Sequence, residues 1–359
     1  MIWLDIIDPK YVLFFNSLIP KLRELDEVII TTRKSEGYSE CHELLELFDI
    51  PNILIGGYGG ESPLGKFNSR LERQKAFLDL FKKTGIPKLF ITGASVDGVQ
   101  TAYGLGIPIV NFSDTPLKKD YFDIDSITIL SKLTLPLSSL VFRPFVVPEI
   151  CYTSMGIAPK NIIAYDFIDV ALWLKDMRPG VDFRKSFNIP KNRPTILFRE
   201  EEYKAHYVEQ KLPIIYQSIE KIASCLDVNI VIMPRYGKED LHFRGFKNIF
   251  VIHKKLSPAD FYPFIDILIG GGGTMNLEAC YLGIPTISTR SLFLFHDKYL
   301  LDNHLMKHCK NSQEVYEEVR NILADKTSLS TSKCIAQKIF EPKPASFEDI
   351  FKIIKERFS

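Results

Sequence analysis

The strongest constraint on this chain is a stop signal that it repeats. Gly85-Ile86-Pro87, Gly106-Ile107-Pro108 and Gly283-Ile284-Pro285 each separate a segment of helical apolar spacing from a short strand-like run. Asp49-Ile50-Pro51 and Asn188-Ile189-Pro190 are variants without the glycine. Glycine takes the left-handed conformation that closes a helix. The proline two residues later stops the helix and holds the residue before it extended. A chain that passes repeatedly from helix to strand in this way is built of βα units, which assemble mostly parallel sheets.

Strands are expected at Ile2–Ile7, Glu27–Thr31, Asn52–Ile55, Lys88–Thr92, Ile109–Phe112 and Ser139–Phe142. A second series follows at Thr195–Arg199, Asn229–Pro234, Asn248–Ile252, Ile265–Ile269 and Thr286–Thr289. Helical spacing fills the intervals, as in Tyr11–Leu25, Ser39–Phe48, Leu64–Lys83 and Val96–Gly104. Between the two series, the charged, proline-containing stretch Leu174–Pro194 reads as an interdomain hinge. At 359 residues there is room for two domains of roughly 100–200 residues each. The expected organisation is a doubly wound, Rossmann-like domain over 1–175, a second over 190–340, and a terminal helix over 345–359 that returns to the first. Two such domains facing a cleft would offer strand ends and helix N-termini to a ligand.

Lys and Arg number 45 against 44 Asp and Glu, a net charge of +1, so nothing recommends a nucleic-acid partner. Six cysteines without a C-x-x-C pair fit neither a zinc ribbon nor a disulfide framework and suit a reducing compartment. His304 and His308 have helical i,i+4 spacing, but no glutamate completes an H-E-x-x-H frame. No stretch reaches the roughly 18 apolar residues of a spanning helix. Met1-Ile2-Trp3-Leu4-Asp5 shows neither a basic leader nor a cleavage pattern. A soluble cytoplasmic protein with no metal and no cofactor is expected. The apolar helix Val12–Ile19 and the loop Gly56–Gly65 admit a second reading, a peripheral membrane contact for a lipid-linked substrate, although core packing is more economical. The glycines of that loop suit a mobile lid.

The sharpest local signal is an apolar strand that runs through Gly270-Gly271-Gly272-Gly273 directly into a helix beginning near Thr274. Glycines allow close backbone approach, and a helix start offers unpaired N–H groups and the positive end of a dipole. Both favour a phosphate or diphosphate. Thr274 is placed to cap the helix or bind a phosphate oxygen, and Glu278 to accept two hydroxyls such as a ribose diol. The plain alternative is a tight turn with a solvated Glu278. No Gly-Lys-Ser/Thr follows, so this is not a P-loop, and its place in the chain disfavours a nicotinamide cofactor.

Gly272-Gly273, Asn276-Leu277-Glu278-Ala279 and Leu282-Gly283-Ile284-Pro285 resemble the C-terminal nucleotide-diphosphate motif of GT-B-type sugar-nucleotide enzymes. These include the non-hydrolysing UDP-N-acetylglucosamine 2-epimerases and the MurG-like glycosyltransferases. Read end to end, the chain is most similar to a mainly archaeal family named only as domain of unknown function 354. The matching stretches are Asp5–Phe15, Gly93–Pro116, Lys132–Pro136, Arg199–Tyr207, Pro234–Arg235 and Gly270–Tyr299. The resemblance implies an α/β, GT-B-like fold and a nucleotide-diphosphate sugar, with UDP the first candidate nucleotide. It implies that Arg199, Arg235, Gly271, Gly272, Gly273, Thr274 and Glu278 hold nucleotide and diphosphate. Asn276, Asp297 and Lys298 would contact sugar hydroxyls. Asp8, Asp114 and His206 become the candidate acid–base groups.

Each candidate has a plainer reading. Asp8 before Pro9 is a good helix N-cap, Asp114 can belong to an Asp-Thr-Pro turn, and Asp297 can cap its own helix. Arg199 and His206 lie in a charged loop, and Ser95 or Asp97 reads as a cap of the helix that follows. In the epimerases a catalytic acid sits shortly before the segment matching Ile129-Leu130-Ser131-Lys132-Leu133-Thr134, and here no glutamate stands there. The implied activity is therefore metal-independent glycosyl transfer to an unknown acceptor, a lipid-linked or cell-envelope glycan being one class. Nucleotide-sugar 2-epimerisation and sugar-nucleotide binding without catalysis are the alternatives.

Overall fold

The computed structural model describes the whole chain except residues 37, 61, 94, 202–213, 235–242, 244 and 359. The chain divides into two compact units, one formed by Met1–Trp173 with Ala345–Ser359 and the other by Leu174–Pro344.

The first unit holds a sheet of β1 (Ile2–Asp5), β2 (Val28–Thr32), β3 (Ile53–Leu54), β4 (Leu89–Thr92), β5 (Ile109–Phe112), β6 (Leu140–Pro144) and β7 (Ile162–Tyr165). Its spatial order is β3-β2-β1-β4-β5-β6-β7. The second unit holds β8 (Thr195–Arg199), β9 (Asn229–Met233), β10 (Ile249–Val251), β11 (Ile267–Gly270), β12 (Thr286–Ser288) and β13 (Lys307–His308). Their order is β10-β9-β8-β11-β12-β13. Every pairing in both sheets is parallel. Strand order reverses at β1 in one unit and β8 in the other. This is the doubly wound arrangement, whose ligand crevice lies at the carboxyl ends of the strands flanking the reversal.

The repeated stop does what its chemistry requires. Gly106 and Gly283 have φ of +69° and +68°, and Asp49 and Asn188 adopt +52° and +55° in the same role. In these four stops the isoleucine N–H bonds back five residues, to the carbonyls of Leu45, Ala102, Arg184 and Ala279, at 2.8–2.9 Å. This is the six-to-one bond of a Schellman helix end, normally accompanied by an apolar contact. Ile50, Ile107, Ile189 and Ile284 are accordingly only 4–7% exposed. The fifth stop differs. Gly85 has ψ 160°, only its own N–H turns back to Phe81, and Ile86 is 64% exposed.

Two departures from the periodicity have local causes. The expected helix Tyr11–Leu25 is two helices, Pro9–Asn16 and Ile19–Leu25. Pro20 is tolerated only in a first turn, so a new helix must begin just before it. The stretch read as a hinge carries Phe183 and Ile189 into the core of the second unit. The core of the first unit includes Trp3, whose ring lies 4.1–5.0 Å from those of Phe77, Phe81 and Phe90. Val12, Phe14, Phe15, Leu18 and Ile19 are buried, so the apolar first helix is core rather than a membrane-facing surface. Among the described residues, no helix is long and apolar enough to cross a membrane.

Candidate functional site

In the second unit β11 lies against β8, with Gly270 paired to Arg199. The glycine run leaves the end of β11 and enters the helix Gly273–Tyr281. None of the four glycines has positive φ, so conformational freedom is not why they are glycine. Proximity is. A Cβ on Gly270 would lie 2.0 Å from Asn276 Oδ1, and one on Gly271 would lie 2.7–2.9 Å from Glu201, backbone included. A Cβ on Gly273 would stand 3.1 Å from Nη1 of Arg290. The helix begins with Gly272 as N-cap and no side-chain cap, so its first N–H groups remain available to an anion. Thr274 is the second helical residue and does not provide the cap.

Behind this turn is a buried polar group. Glu278 is buried, and Tyr262 donates its hydroxyl to Glu278 Oε2 at 2.5 Å. Burial first, and then the Glu278 carboxylate, push the Tyr262 phenol well above its ordinary range. The solvated helix position considered for Glu278 is therefore excluded. Arg199, also buried, donates from Nη1 to the carbonyls of Met233 and Pro234, each at 3.2 Å. Asn276 donates Nδ2 to Gly270 O at 3.2 Å, which fixes the glycine turn from within. Asn276 Oδ1 and Thr289 Oγ1 are buried with no hydrogen-bond partner among the described residues.

Asp297 accepts from Arg290 Nη1 at 2.5 Å and from the Leu294 N–H at 3.0 Å. It thus orients Arg290 and caps its own helix, Phe295–Asp302. Lys298 is exposed and pairs with Asp302 at 3.1 Å. Sequence reasoning missed Arg290 because only folding brings it beside Gly273. His206 and Arg235 lie outside the described residues.

The acidic candidates of the first unit have separate surroundings. Asp8 is the N-cap of Pro9–Asn16 and accepts from the Lys10 N–H at 2.9 Å. Asp114 meets the Lys10 ammonium, which also meets the fully buried Asp169. Burial alone lowers the Lys10 pKa, but the two carboxylates outweigh it and raise it above the ordinary lysine range. Lys10 therefore stays protonated at neutral pH. Nearby, Asp5 and Asp97 hold the fully buried Arg73 at 3.0 and 2.7 Å. Asp5 also accepts from Thr31 at 2.6 Å. Ser95 caps the helix Val96–Gly104 by accepting from the Gly98 N–H at 2.9 Å. No cluster of three or more metal-ligating side chains exists among the described residues.

The family described as protein of unknown function (DUF354) matches residues 1–350. An uncharacterised protein of Methanocaldococcus jannaschii, MJ0665, is 27% identical over 361 residues, covering 99% of this chain and 98% of its own. Among solved structures, S. aureus MnaA with UDP superposes with a TM-score of 0.76 at 15% identity, covering 99% of this chain and 96% of that one. The UDP-GlcNAc 2-epimerase of Neisseria meningitidis bound to UDP-GlcNAc gives 0.73 at 17%, covering 99% of both chains. The spinosyn rhamnosyltransferase SpnG gives 0.59 at 12%, covering 98% of this chain and all of its own. These likenesses bear out the GT-B-like fold class: two parallel, doubly wound α/β units.

Proposed function

We propose, on the premise that the chain belongs to the DUF354 family, that it binds a nucleotide-diphosphate sugar through its C-terminal unit and transfers the sugar to an acceptor. The observation that carries this reading is the helix Gly273–Tyr281, which starts without a side-chain cap at the strand-order reversal and has Arg290 beside its first residue. Diphosphate oxygens accept the first helical N–H groups. The helix dipole and the arginines stabilise the charge that grows on the diphosphate as the glycosidic bond breaks. Glu278 accepts from the ribose hydroxyls, and Asn276 holds the turn that presents the phosphate site. UDP is the first nucleotide to test, because MnaA and the Neisseria epimerase carry UDP or UDP-GlcNAc. On this reading the N-terminal unit contributes the acid–base group. Asp114 is the better candidate there, because Asp8 already caps its helix.

One observation favours a second reaction. Asp114 beside the protonated Lys10, which Asp169 also meets, is a carboxylate of the kind that removes and returns a proton at sugar C2, which is epimerisation. Incubating the full chain with a UDP-sugar and following both sugar and nucleotide by NMR separates the readings. Free UDP with an acceptor-bound sugar means transfer, whereas an altered sugar on intact UDP means epimerisation. Binding without either product leaves a sugar-nucleotide-binding protein. If Glu278→Gln and Arg199→Ala both keep wild-type UDP affinity, the assignment of the nucleotide to this unit is wrong.

A further inference from the structure

The loop Gly56–Gly60 of the first unit, which composition suggested as a mobile lid, is pinned along its length. Lys34 N donates to Gly56 O at 3.2 Å and Tyr58 N to Ser35 Oγ at 3.2 Å. Ser69 Oγ donates to Gly57 O at 2.7 Å, and the buried Arg73 donates Nε to Ile55 O at 2.8 Å. Gly56, Gly59 and Gly60 take φ of +65°, +83° and +79°. A Cβ on Gly59 would fall 2.4 Å from the Gly65 carbonyl, so the helix Pro63–Thr84 closes against the loop. This is a fixed platform rather than a lid.

The platform presents one aromatic ring and two cations. Tyr58 stacks on Tyr38, with centroids 3.7 Å apart and planes 14° apart. The Arg33 guanidinium lies 5.2 Å and the Lys66 ammonium 5.1 Å from the centre of the Tyr58 ring. Arg33, Lys66 and both tyrosines are half-buried. The nearby carboxylates of Asp5 and Asp97 are engaged with Arg73, and Arg70 also pairs with Asp97 at 3.6 Å. Among the described residues no carboxylate lies within ion-pair distance of the Arg33 guanidinium. The first turn of the adjoining helix carries no acidic residue. Burial and then the Arg73 charge lower the Arg33 pKa, and the Asp97 and Asp5 carboxylates offset part of that. A partly desolvated cation whose nearest carboxylates are already held by another arginine gains from an anion bound beside it.

We propose that the first unit carries a second, preformed anion site, in which Arg33 and Lys66 grip the phosphate of a small phosphate ester and the Tyr58–Tyr38 stack walls its organic part. The site uses none of the residues assigned to the nucleotide. It rests on the proposed function only in making this ester the second substrate.

Isothermal titration calorimetry of the full chain in a phosphate-free buffer tests it, with glucose 1-phosphate as probe after saturation with UDP. Wild type is expected to bind the probe. Arg33→Gln and Lys66→Gln should each weaken it roughly tenfold, the double variant should abolish it, and Arg33→Lys should keep part of it. UDP affinity should be the same throughout. Melting temperature should not fall in Arg33→Gln, whereas a merely structural arginine would lower it. No heat from the probe in wild type, or unchanged binding in the double variant, overturns the site. If UDP fails to bind while probe binding still depends on Arg33, the nucleotide reading falls and this site stands.

Discussion

The two units share one strand order through six strands, and they treat the crevice at its reversal in opposite ways. After β4 the turn at Gly93 is covered by the protein's own ring, since a Cβ there would sit 2.2–2.3 Å from Tyr11. The helix that follows is closed by Ser95, and the space beneath is filled by Asp5, Arg73 and Asp97. After β11 the corresponding helix starts on glycine with nothing closing it, and Arg290 waits beside it. One helix start is closed by its own serine and the other leaves its N–H donors for a ligand. The same topology therefore does not by itself make a binding site. What matters is whether the side chain at the helix start points back at the helix.

The contrast is sharpest at Arg73. Arg73→Leu leaves Asp5 buried without its cation and Asp97 with only Arg70 at 3.6 Å. It should cost about 3–5 kcal/mol in urea denaturation, while UDP affinity of the folded fraction stays at the wild-type value. Loss of UDP affinity in the folded fraction would mean that the first crevice is not self-contained. Next in size is the cap itself. Ser95→Ala should lower stability by about 1 kcal/mol. Gly272→Ser, which transplants the cap to the open helix, should gain a few tenths of a kcal/mol and weaken UDP binding. If the Gly272→Ser variant binds UDP as well as wild type, the uncapped N–H groups are not where the phosphate sits. The smallest effect is a pH response in the second unit. Burial first holds the His308 imidazole below its ordinary pKa of 6.5, so it resists protonation in the fold. Its contribution to stability is present above pH 6.5 and is lost as pH falls through the depressed value. His308→Gln should flatten the change of melting temperature between pH 7 and 5.

Much of this was legible before folding. The stops Asp49-Ile50-Pro51 and Asn188-Ile189-Pro190 could be read as helix ends because Asp and Asn are among the few residues that tolerate positive φ. The glycine run announced a close approach. It did not say that the approaching groups of Gly270 and Gly271 are the protein's own Asn276 and Glu201. Ion pairs were invisible for a plain reason. Lys10 and Asp169 are separated by 159 positions and Arg73 and Asp5 by 68, and no local pattern records such distances. Strands β7 and β13 were missed because Lys307-His308 spans two residues and Ile162–Tyr165 has no flanking stop of the repeated kind. Pairing with a neighbouring strand, rather than propensity, makes both of them strands.

The closing helix Glu348–Phe358 belongs to the first unit. Phe347 just before it meets Phe14 at 5.1 Å edge to face, Glu348 pairs with Lys21, and Arg357 reaches Lys160 O at 2.8 Å. The second unit, by contrast, is one continuous stretch, Leu174–Pro344. During synthesis, when domains tend to fold as their residues emerge, Met1–Trp173 completes its unit only after Ala345–Ser359 has been made. Meanwhile the unit inserted within it has every contact it needs and can finish first.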